Sequence, residues 1–190
     1  MLIYIHGFNS SPASHKSRLL QRRMEGIGRG KEFVCPALPD RPAQAIDLLE
    51  AELRKPYPAP VTLVGSSLGG YYATYLAEQF SALRAVLVNP AVRPYAGLQA
   101  YLGPQKNLYT GELYELTMQH LEELLALDVD RPARLDRYYL MVTTGDEVLD
   151  YREAVRKYPG AKQLIVQGSD HGFADFGDHL DSVLEFAGIA

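Results

Sequence analysis

One serine of the chain lies in a pattern typical of an activated nucleophile. Segment 61–70 passes from an apolar, β-branched stretch into a helical pattern, and Ser67 has Gly65 two residues before it and Gly69 two residues after it. On a tight strand-to-helix turn these flanking positions approach each other, so both residues must be very small. The neighbouring Ser66 has bulky apolar residues in the equivalent positions and fails this test.

A glycine-rich turn that only packs tightly, or that binds a phosphate, is the alternative interpretation of this segment. Gly65–Gly70 does not follow the Gly-x-Gly-x-x-Gly pattern, and no Walker lysine follows it. Nucleotide binding is therefore disfavoured, and nucleophilic catalysis by Ser67 is the stronger hypothesis.

A serine hydroxyl needs a general base within hydrogen-bonding distance. In folds that carry this serine motif, the partners follow in the chain order serine, acid, histidine. His171 follows the last predicted strand and precedes the last predicted helix, whereas His120 lies in a long insert and His179 lies within that helix. We therefore expect His171 to be the base.

The acid that orients the histidine is expected directly after the fifth predicted strand. Asp146 comes first after that strand and its glycine turn, so it is the preferred candidate. Glu147 and Asp150 have the character of first-turn carboxylates that a helix dipole favours. Some hydrolases place the acid one strand earlier, where Asp128 or Asp130 would serve.

Backbone N–H groups are needed to stabilise the negative charge that develops on a carbonyl oxygen during acyl transfer. One such group is expected from Leu68, the residue after the nucleophile. The other is expected from Phe8, because the His6-Gly7 pair that leaves the first strand lets the next N–H turn into the site. His6 itself is expected to shape this loop through hydrogen bonds.

Composition argues against several other classes of protein. The 190-residue chain has a formal net charge of −4 and at most two adjacent Lys or Arg residues, so a nucleic-acid partner is not expected. The single cysteine, Cys35, excludes an intrachain disulfide and cysteine-rich zinc sites. No His-x-x-x-His or His-Glu-x-x-His motif occurs, so we expect neither a metal nor another cofactor. Nothing in the sequence specifies an oligomeric state.

Along the whole sequence, short apolar runs alternate with stretches of helical periodicity, which is typical of a doubly wound α/β fold. The apolar runs lack strict alternation, so we expect parallel strands buried on both faces. The predicted strands are Leu2–His6, Phe33–Cys35, Val61–Gly65, Ala85–Asn89, Tyr138–Thr143 and Gln163–Gln167. The predicted helices are Ser14–Met24, Pro42–Arg54, Leu68–Phe80, Tyr151–Tyr158 and Phe173–Phe186. At this length, residues 1–190 are expected to form a single domain.

Residues 91–137 interrupt the alternation of strands and helices, because this segment is far longer than a single crossover helix requires. Inserts of this length are usually functional, and we expect a helical cap beside the carboxyl ends of the strands. In that interpretation Leu121 and Leu124, in the helical run 116–127, form an apolar pocket wall. The alternative is a plain crossover helix whose leucines face the core.

The first apolar run ends after five residues, which is too short for the apolar region of a signal peptide. No stretch approaches the roughly 20 apolar residues of a membrane-spanning helix. We therefore expect a cytoplasmic protein without a membrane span.

The chain also resembles the YqiA-like esterases, a family of small bacterial α/β-hydrolases. The resemblance is carried by the segments His6–Pro12, Gly65–Thr74, Val88–Pro94, Tyr109–Glu112 and Thr144–Arg152. It implies a trimmed α/β-hydrolase fold with about six parallel strands in the order 2-1-3-4-5-6. It also implies hydrolysis of esters or thioesters, fatty acyl thioesters among them, with Ser67, Asp146 and His171 as the triad.

The sequence thus predicts a serine hydrolase that acts on a small acyl ester or thioester. The alternative from another class is a catalytically inactive ligand-binding or scaffold protein that has kept the fold. A haloperoxidase-like or C–C-cleaving hydrolase would use the same residues and also stays open.

Overall fold

The central sheet joins six of the strands that the computed structural model contains within residues 1–189, the part of the chain that it describes. The strands are β1 (Leu2–Ile5), β2 (Phe33–Val34), β3 (Thr62–Ser66), β4 (Arg84–Val88), β5 (Gly103–Lys106), β6 (Leu113–Leu116), β7 (Tyr138–Thr143) and β8 (Lys162–Val166). The six-stranded sheet is parallel throughout and has the order β2-β1-β3-β4-β7-β8. This confirms the predicted order, because β5 and β6 form a separate hairpin that the prediction did not number.

The α-helices within residues 1–189 are α1 (His15–Gly26), α2 (Pro42–Leu53), α3 (Leu68–Gln79), α4 (Pro94–Gly97), α5 (Met118–Ala126), α6 (Tyr151–Lys157) and α7 (Leu180–Ala187). Four of them, α1, α2, α3 and α6, begin and end close to the predicted positions. None of the helices within residues 1–189 combines the length and apolar character that crossing a bilayer requires.

The predicted last helix, Phe173–Phe186, is wrong in its first half. Ala174–His179 form a 3₁₀ segment, and the α-helix begins only at Leu180. The Asp170 carboxylate accepts the N–H of Ala174, and Phe173 has a φ of +56°. These local bonds hold the chain in a turn where a helical period alone would have continued the helix.

Both faces of the sheet are covered by helices, which explains why its central strands are mostly apolar and buried. Leu2 and Tyr4 of β1 face a core that includes α1 and α7, whereas Ile3 and Ile5 face a core that includes α2, α3, α5 and α6. Successive side chains of a strand point to opposite faces, so a strand buried on both sides lacks the polar alternation of a half-exposed strand. The carboxyl ends of all six strands meet at one edge, where ligands bind in open α/β sheets.

The insert of residues 91–137 contains α4, the antiparallel β5–β6 hairpin, α5 and two 3₁₀ turns, Leu98–Tyr101 and Leu135–Arg137. The hairpin was not predicted. Leu121 and Leu124 of α5 are almost fully buried in the same core as Tyr71 and Tyr72 of α3. The expectation that these two leucines form a pocket wall is therefore wrong, and the crossover alternative describes them correctly.

We predict that Leu121→Ala and Leu124→Ala each lower the free energy of unfolding by about 2–5 kcal/mol, because each removes buried methyl groups and leaves a cavity. The matched control is Leu125→Ala on the same helix, where the side chain is 55% exposed and the change should stay within about 0.5 kcal/mol. Urea denaturation of the three variants measures this. Equal destabilisation by all three would contradict the packing of α5 on the core.

Candidate active site

Ser67 lies in a turn between β3 and α3 that only small neighbours permit. Its backbone has φ +54° and ψ −120°, which is strained for a residue with a side chain. A Cβ on Gly65 would overlap the carbonyl oxygen of Gly69, and a Cβ on Gly69 would overlap the carbonyl oxygen of Ile5. Both glycines are thus required by close backbone approach, and the turn presents the Ser67 hydroxyl at the sheet edge.

The structure brings Ser67, His171 and Asp146 into one hydrogen-bonded line. His171 Nε2 lies 3.1 Å from Ser67 Oγ, and His171 Nδ1 lies 2.8 Å from Asp146 Oδ2. A neutral imidazole that donates from Nδ1 to the carboxylate has a lone pair on Nε2 that can accept the serine proton. The Asp146 side chain is 2% exposed, so water hardly competes for this carboxylate.

Asp146 is held as an anion by its hydrogen bonds. Its Oδ1 accepts the backbone N–H groups of Val148 and Leu149, each at 2.8 Å. Burial by itself raises the pKa of this carboxyl, but the bonds from His171 and from the two N–H groups outweigh burial and hold the pKa below its ordinary value. Asp146 is therefore ionised throughout the neutral pH range.

The other carboxylates that the sequence offered take different positions. Glu147 accepts the backbone N–H of His171 at 3.0 Å, so it supports the loop and does not touch the imidazole. Asp150 caps α6 by accepting the N–H of Arg152. Asp128 lies 3.7 Å from Lys157 Nζ and 3.4 Å from the Tyr95 hydroxyl.

The two candidate oxyanion donors adjoin Ser67 through the chain: Leu68 follows it directly, and Phe8 follows Gly7, where an added Cβ would lie 3.1 Å from Ser67 Cβ. Leu68 is the first residue of α3, where backbone N–H groups have no partner within the helix. Within residues 1–189, neither its N–H nor that of Phe8 donates to another group. His6 accepts the N–H of Leu38 at Nε2, at 3.1 Å, which ties the loop after β1 to the segment after β2.

Sequence reasoning missed a buried brace behind the histidine loop. The Asn89 amide donates to the carbonyl oxygens of Asp170 and His171, each at 3.2 Å, and also contacts the Thr143 hydroxyl. From the other side, Lys16 Nζ donates to the carbonyl oxygen of Gly172 at 2.7 Å. A polar Asn directly after four buried apolar residues of β4, at the edge where ligands bind, is the signal that could have revealed the brace.

The other histidines that were weighed against His171 are engaged elsewhere. His120 is buried and completes a capping box with Thr117 at the start of α5, and its Nε2 lies 3.3 Å from Asp40. His179 packs its ring against Phe173. Across residues 1–189, no three His, Cys, Asp or Glu side chains are grouped so that they could hold a metal ion.

Solved structures share this architecture at low sequence identity. A provisionally named hydrolase from Agrobacterium vitis S4 has 17% identity and a TM-score of 0.78, covering 98% of this chain and 87% of that chain. Mouse alpha/beta hydrolase domain-containing protein 10 has 14% identity and a TM-score of 0.74, covering 97% and 89%. The esterase domain of a Rhodothermus marinus protein has 18% identity and a TM-score of 0.70, covering 98% and 85%.

These likenesses establish the fold that the sequence predicted, a trimmed α/β-hydrolase fold. A family match extends over residues 1–188, which is nearly the whole chain, and it agrees with the resemblance noted from the sequence segments. The chain therefore belongs to the YqiA-like family, which is described as an uncharacterised protein family, UPF0227.

Proposed function

We propose that this protein is a serine hydrolase that cleaves carboxylic esters or acyl thioesters through an acyl-enzyme. The observation that carries the proposal is the line of hydrogen bonds from Ser67 through His171 to Asp146, at 3.1 and 2.8 Å. A nucleophile, a base and an orienting acid in this arrangement are what acyl transfer needs. Structures of similar fold include a protein named as an esterase domain, which supports the same class of reaction.

In the first half of the proposed reaction, Ser67 Oγ attacks the carbonyl carbon while His171 Nε2 takes the hydroxyl proton. The carbonyl oxygen becomes an oxyanion, which the N–H groups of Phe8 and Leu68 stabilise. Asp146 keeps the second proton of the imidazole on Nδ1 and stabilises its positive charge. His171 then gives its proton to the leaving oxygen or sulfur, and the acyl group stays on Ser67.

In the second half, a water molecule attacks the acyl-enzyme while His171 again acts as the base. The tetrahedral intermediate collapses, His171 returns its proton to Ser67 Oγ, and the carboxylic acid leaves. The cycle needs no group besides the side chains and N–H groups already described.

The alternative from another class is an inactive protein that uses the fold only to bind a ligand or a partner. One feature favours the enzyme. The strained backbone of Ser67 persists although it lowers stability, and strain of this kind clusters at functional sites.

We propose that the protein works in the cytoplasm, that residues 1–190 act as one domain, and that the insert 91–137 walls one side of the site. The hairpin contributes to that wall through Asn107, Glu112 and Tyr114, which line the cavity beside Phe8.

We predict that Ser67→Ala lowers kcat for 4-nitrophenyl butyrate by about 10⁴–10⁶-fold, because the nucleophile is lost. Ser66→Ala is the matched control, since Ser66 ends β3 and lacks the paired glycines. A serine-directed phosphonate should label the wild type and Ser66→Ala but not Ser67→Ala. Absence of labelling in the folded wild type would favour the inactive scaffold.

We predict that kcat/KM rises with pH, because the base His171 can accept the serine proton only as a neutral imidazole. Asp146 adds no separate step at neutral pH, since its pKa lies below its ordinary value and it is already ionised. Asp146→Asn should keep the fold and lower kcat by about 10⁴-fold, because it favours the wrong tautomer. A folded His171→Gln variant with the wild-type rate and pH profile would remove His171 from the mechanism.

A further inference from the structure

The end of β4 and the residues that follow it are bound to the nucleophile turn. We call residues 88–91 the strand-end segment. The Ser67 N–H donates to the carbonyl oxygen of Val88 at 3.0 Å, and the N–H of Ala91 donates to the carbonyl oxygen of Ser67 at 3.1 Å. Two backbone bonds, one on each side of Asn89, therefore hold this segment at a fixed position relative to the Ser67 hydroxyl.

The Asn89 side chain reaches from the strand-end segment to the histidine loop. Asn89 has a φ of +41°, a left-handed conformation that asparagine adopts more readily than most other residues with a side chain. Its Nδ2 donates to the carbonyl oxygens of Asp170 and His171, each at 3.2 Å. One side chain thus connects the segment that holds the nucleophile with the residue that carries the base.

The amide of Asn89 has a single favourable orientation. Its Oδ1 accepts the backbone N–H of Thr143 at 2.9 Å, and its Nδ2 also donates to the Thr143 hydroxyl at 3.1 Å. A flipped amide would place its nitrogen against an N–H donor and its oxygen against two carbonyl oxygens. Asn89 is 3% exposed, so water hardly competes for these bonds.

Two other side chains that bond to this part of the loop backbone come from a different direction. The Thr143 hydroxyl donates to the carbonyl oxygen of the residue before His171 at 3.0 Å, and Glu147 accepts the His171 N–H at 3.0 Å. Thr143 ends β7, and Glu147 lies in the loop after β7. Of these three side chains, that of Asn89 is the one that starts from a segment bound to Ser67.

The position of the histidine loop matters because the base must reach the serine proton. His171 Nε2 lies 3.1 Å from Ser67 Oγ, and a small displacement of such a pair slows proton transfer strongly. Asp146 bonds to the ring and orients it, but it does not hold the backbone of His171. Asn89 is buried and does not line the cavity beside Phe8. Its effect on the reaction therefore passes through His171 and not through contact with a substrate.

We propose that Asn89 is a positioning residue that sets the separation between Ser67 Oγ and His171 Nε2. This inference rests on the proposed function, because it assigns a role in the reaction of the same three residues. His171 is the base in the formation of the acyl-enzyme and again in its hydrolysis, so a displaced loop slows both halves. When both halves slow together, kcat falls while KM changes little.

Two variants of Asn89 test the proposal with 4-nitrophenyl butyrate. Asn89→Asp keeps the size of the side chain but replaces the donating amide with an oxygen that faces two carbonyl oxygens. Asn89→Gly removes the side chain and tolerates the positive φ. In both variants we expect kcat to fall by about 10²-fold, with KM within about threefold of the wild-type value. The rate of labelling by a serine-directed phosphonate should fall in parallel, because it needs the same base.

Tyr158→Phe is the matched control, because it also removes a buried polar group that forms a hydrogen bond. The Tyr158 hydroxyl lies 2.8 Å from Thr74 Oγ1, and Tyr158 is 1% exposed at the end of α6, away from the triad. The control should lower the melting temperature, as the Asn89 variants do, and leave kcat unchanged.

Proton NMR reports the state of the base directly. The proton on His171 Nδ1, which is bonded to Asp146, should give a resonance at low field. In the folded Asn89 variants this resonance should broaden, because a displaced loop lets the proton exchange faster with water. In Tyr158→Phe it should stay sharp. A role of Asn89 in stability alone would leave the resonance sharp in every folded variant.

The outcomes separate this inference from the proposed function. Wild-type kcat in folded Asn89→Gly, or an equal loss of kcat in Tyr158→Phe, overturns the positioning role while hydrolysis by Ser67 stands. If neither Asn89 variant folds, the Nδ2 protons of Asn89 in the wild type decide: slow exchange with water supports the inference, and exchange at the rate of an exposed amide overturns it. If the folded wild type cleaves no ester and takes no phosphonate, the proposed function fails, and this inference fails with it.

Discussion

The turn between β3 and α3 has no space for a side chain at Gly65 or Gly69, two residues before and after Ser67, and the other loops of the site depend on this constraint. Because Gly69 lies against the backbone of Ile5, the start of α3 is pressed onto the end of β1. The Ser67 N–H donates to Val88 at the end of β4, and the Ser67 carbonyl accepts the N–H of Ala91. The turn thus holds the loops after β1 and β4 at fixed distances from the hydroxyl.

The histidine loop is positioned from two directions that are remote from it in sequence. Asn89 holds its backbone from the end of β4, and Lys16 holds it from the start of α1. These bonds matter because a loop that carries a base must keep its ring within hydrogen-bonding distance of the nucleophile, and small displacements weaken proton transfer. The geometry of the site therefore depends on contacts from several loops at this edge of the sheet.

Backbone strain is concentrated at the same edge. Within residues 1–189, the non-glycine residues with positive φ are Asn9, Ser67, Asn89, Ser169 and Phe173. Each follows a strand of the central sheet, and two of them flank His171. Such conformations cost free energy, so they persist only where surrounding contacts hold them. The apolar cores on both faces of the sheet supply that support.

Local patterns in the sequence determined much of this structure. Apolar strands without alternation indicated a parallel sheet, because burial on both faces removes polar positions. Gly65 and Gly69 indicated the turn at Ser67, because their steric effect acts between near neighbours. Chain order was enough to propose Asp146 and His171, since parallel strands place successive loops at one edge.

Tertiary contacts decided what these patterns could not. Gly103–Lys106 has no strand-like alternation, and its hairpin is tied to the rest of the site through contacts such as that of Tyr114 with Asn9. The leucines of α5 fit a pocket wall or a core equally well by period, and only packing against Tyr71 and Tyr72 placed them in the core. Asn89 braces residues some 80 positions away. Local periodicity carries no information about such partners, because they meet only when the chain has folded.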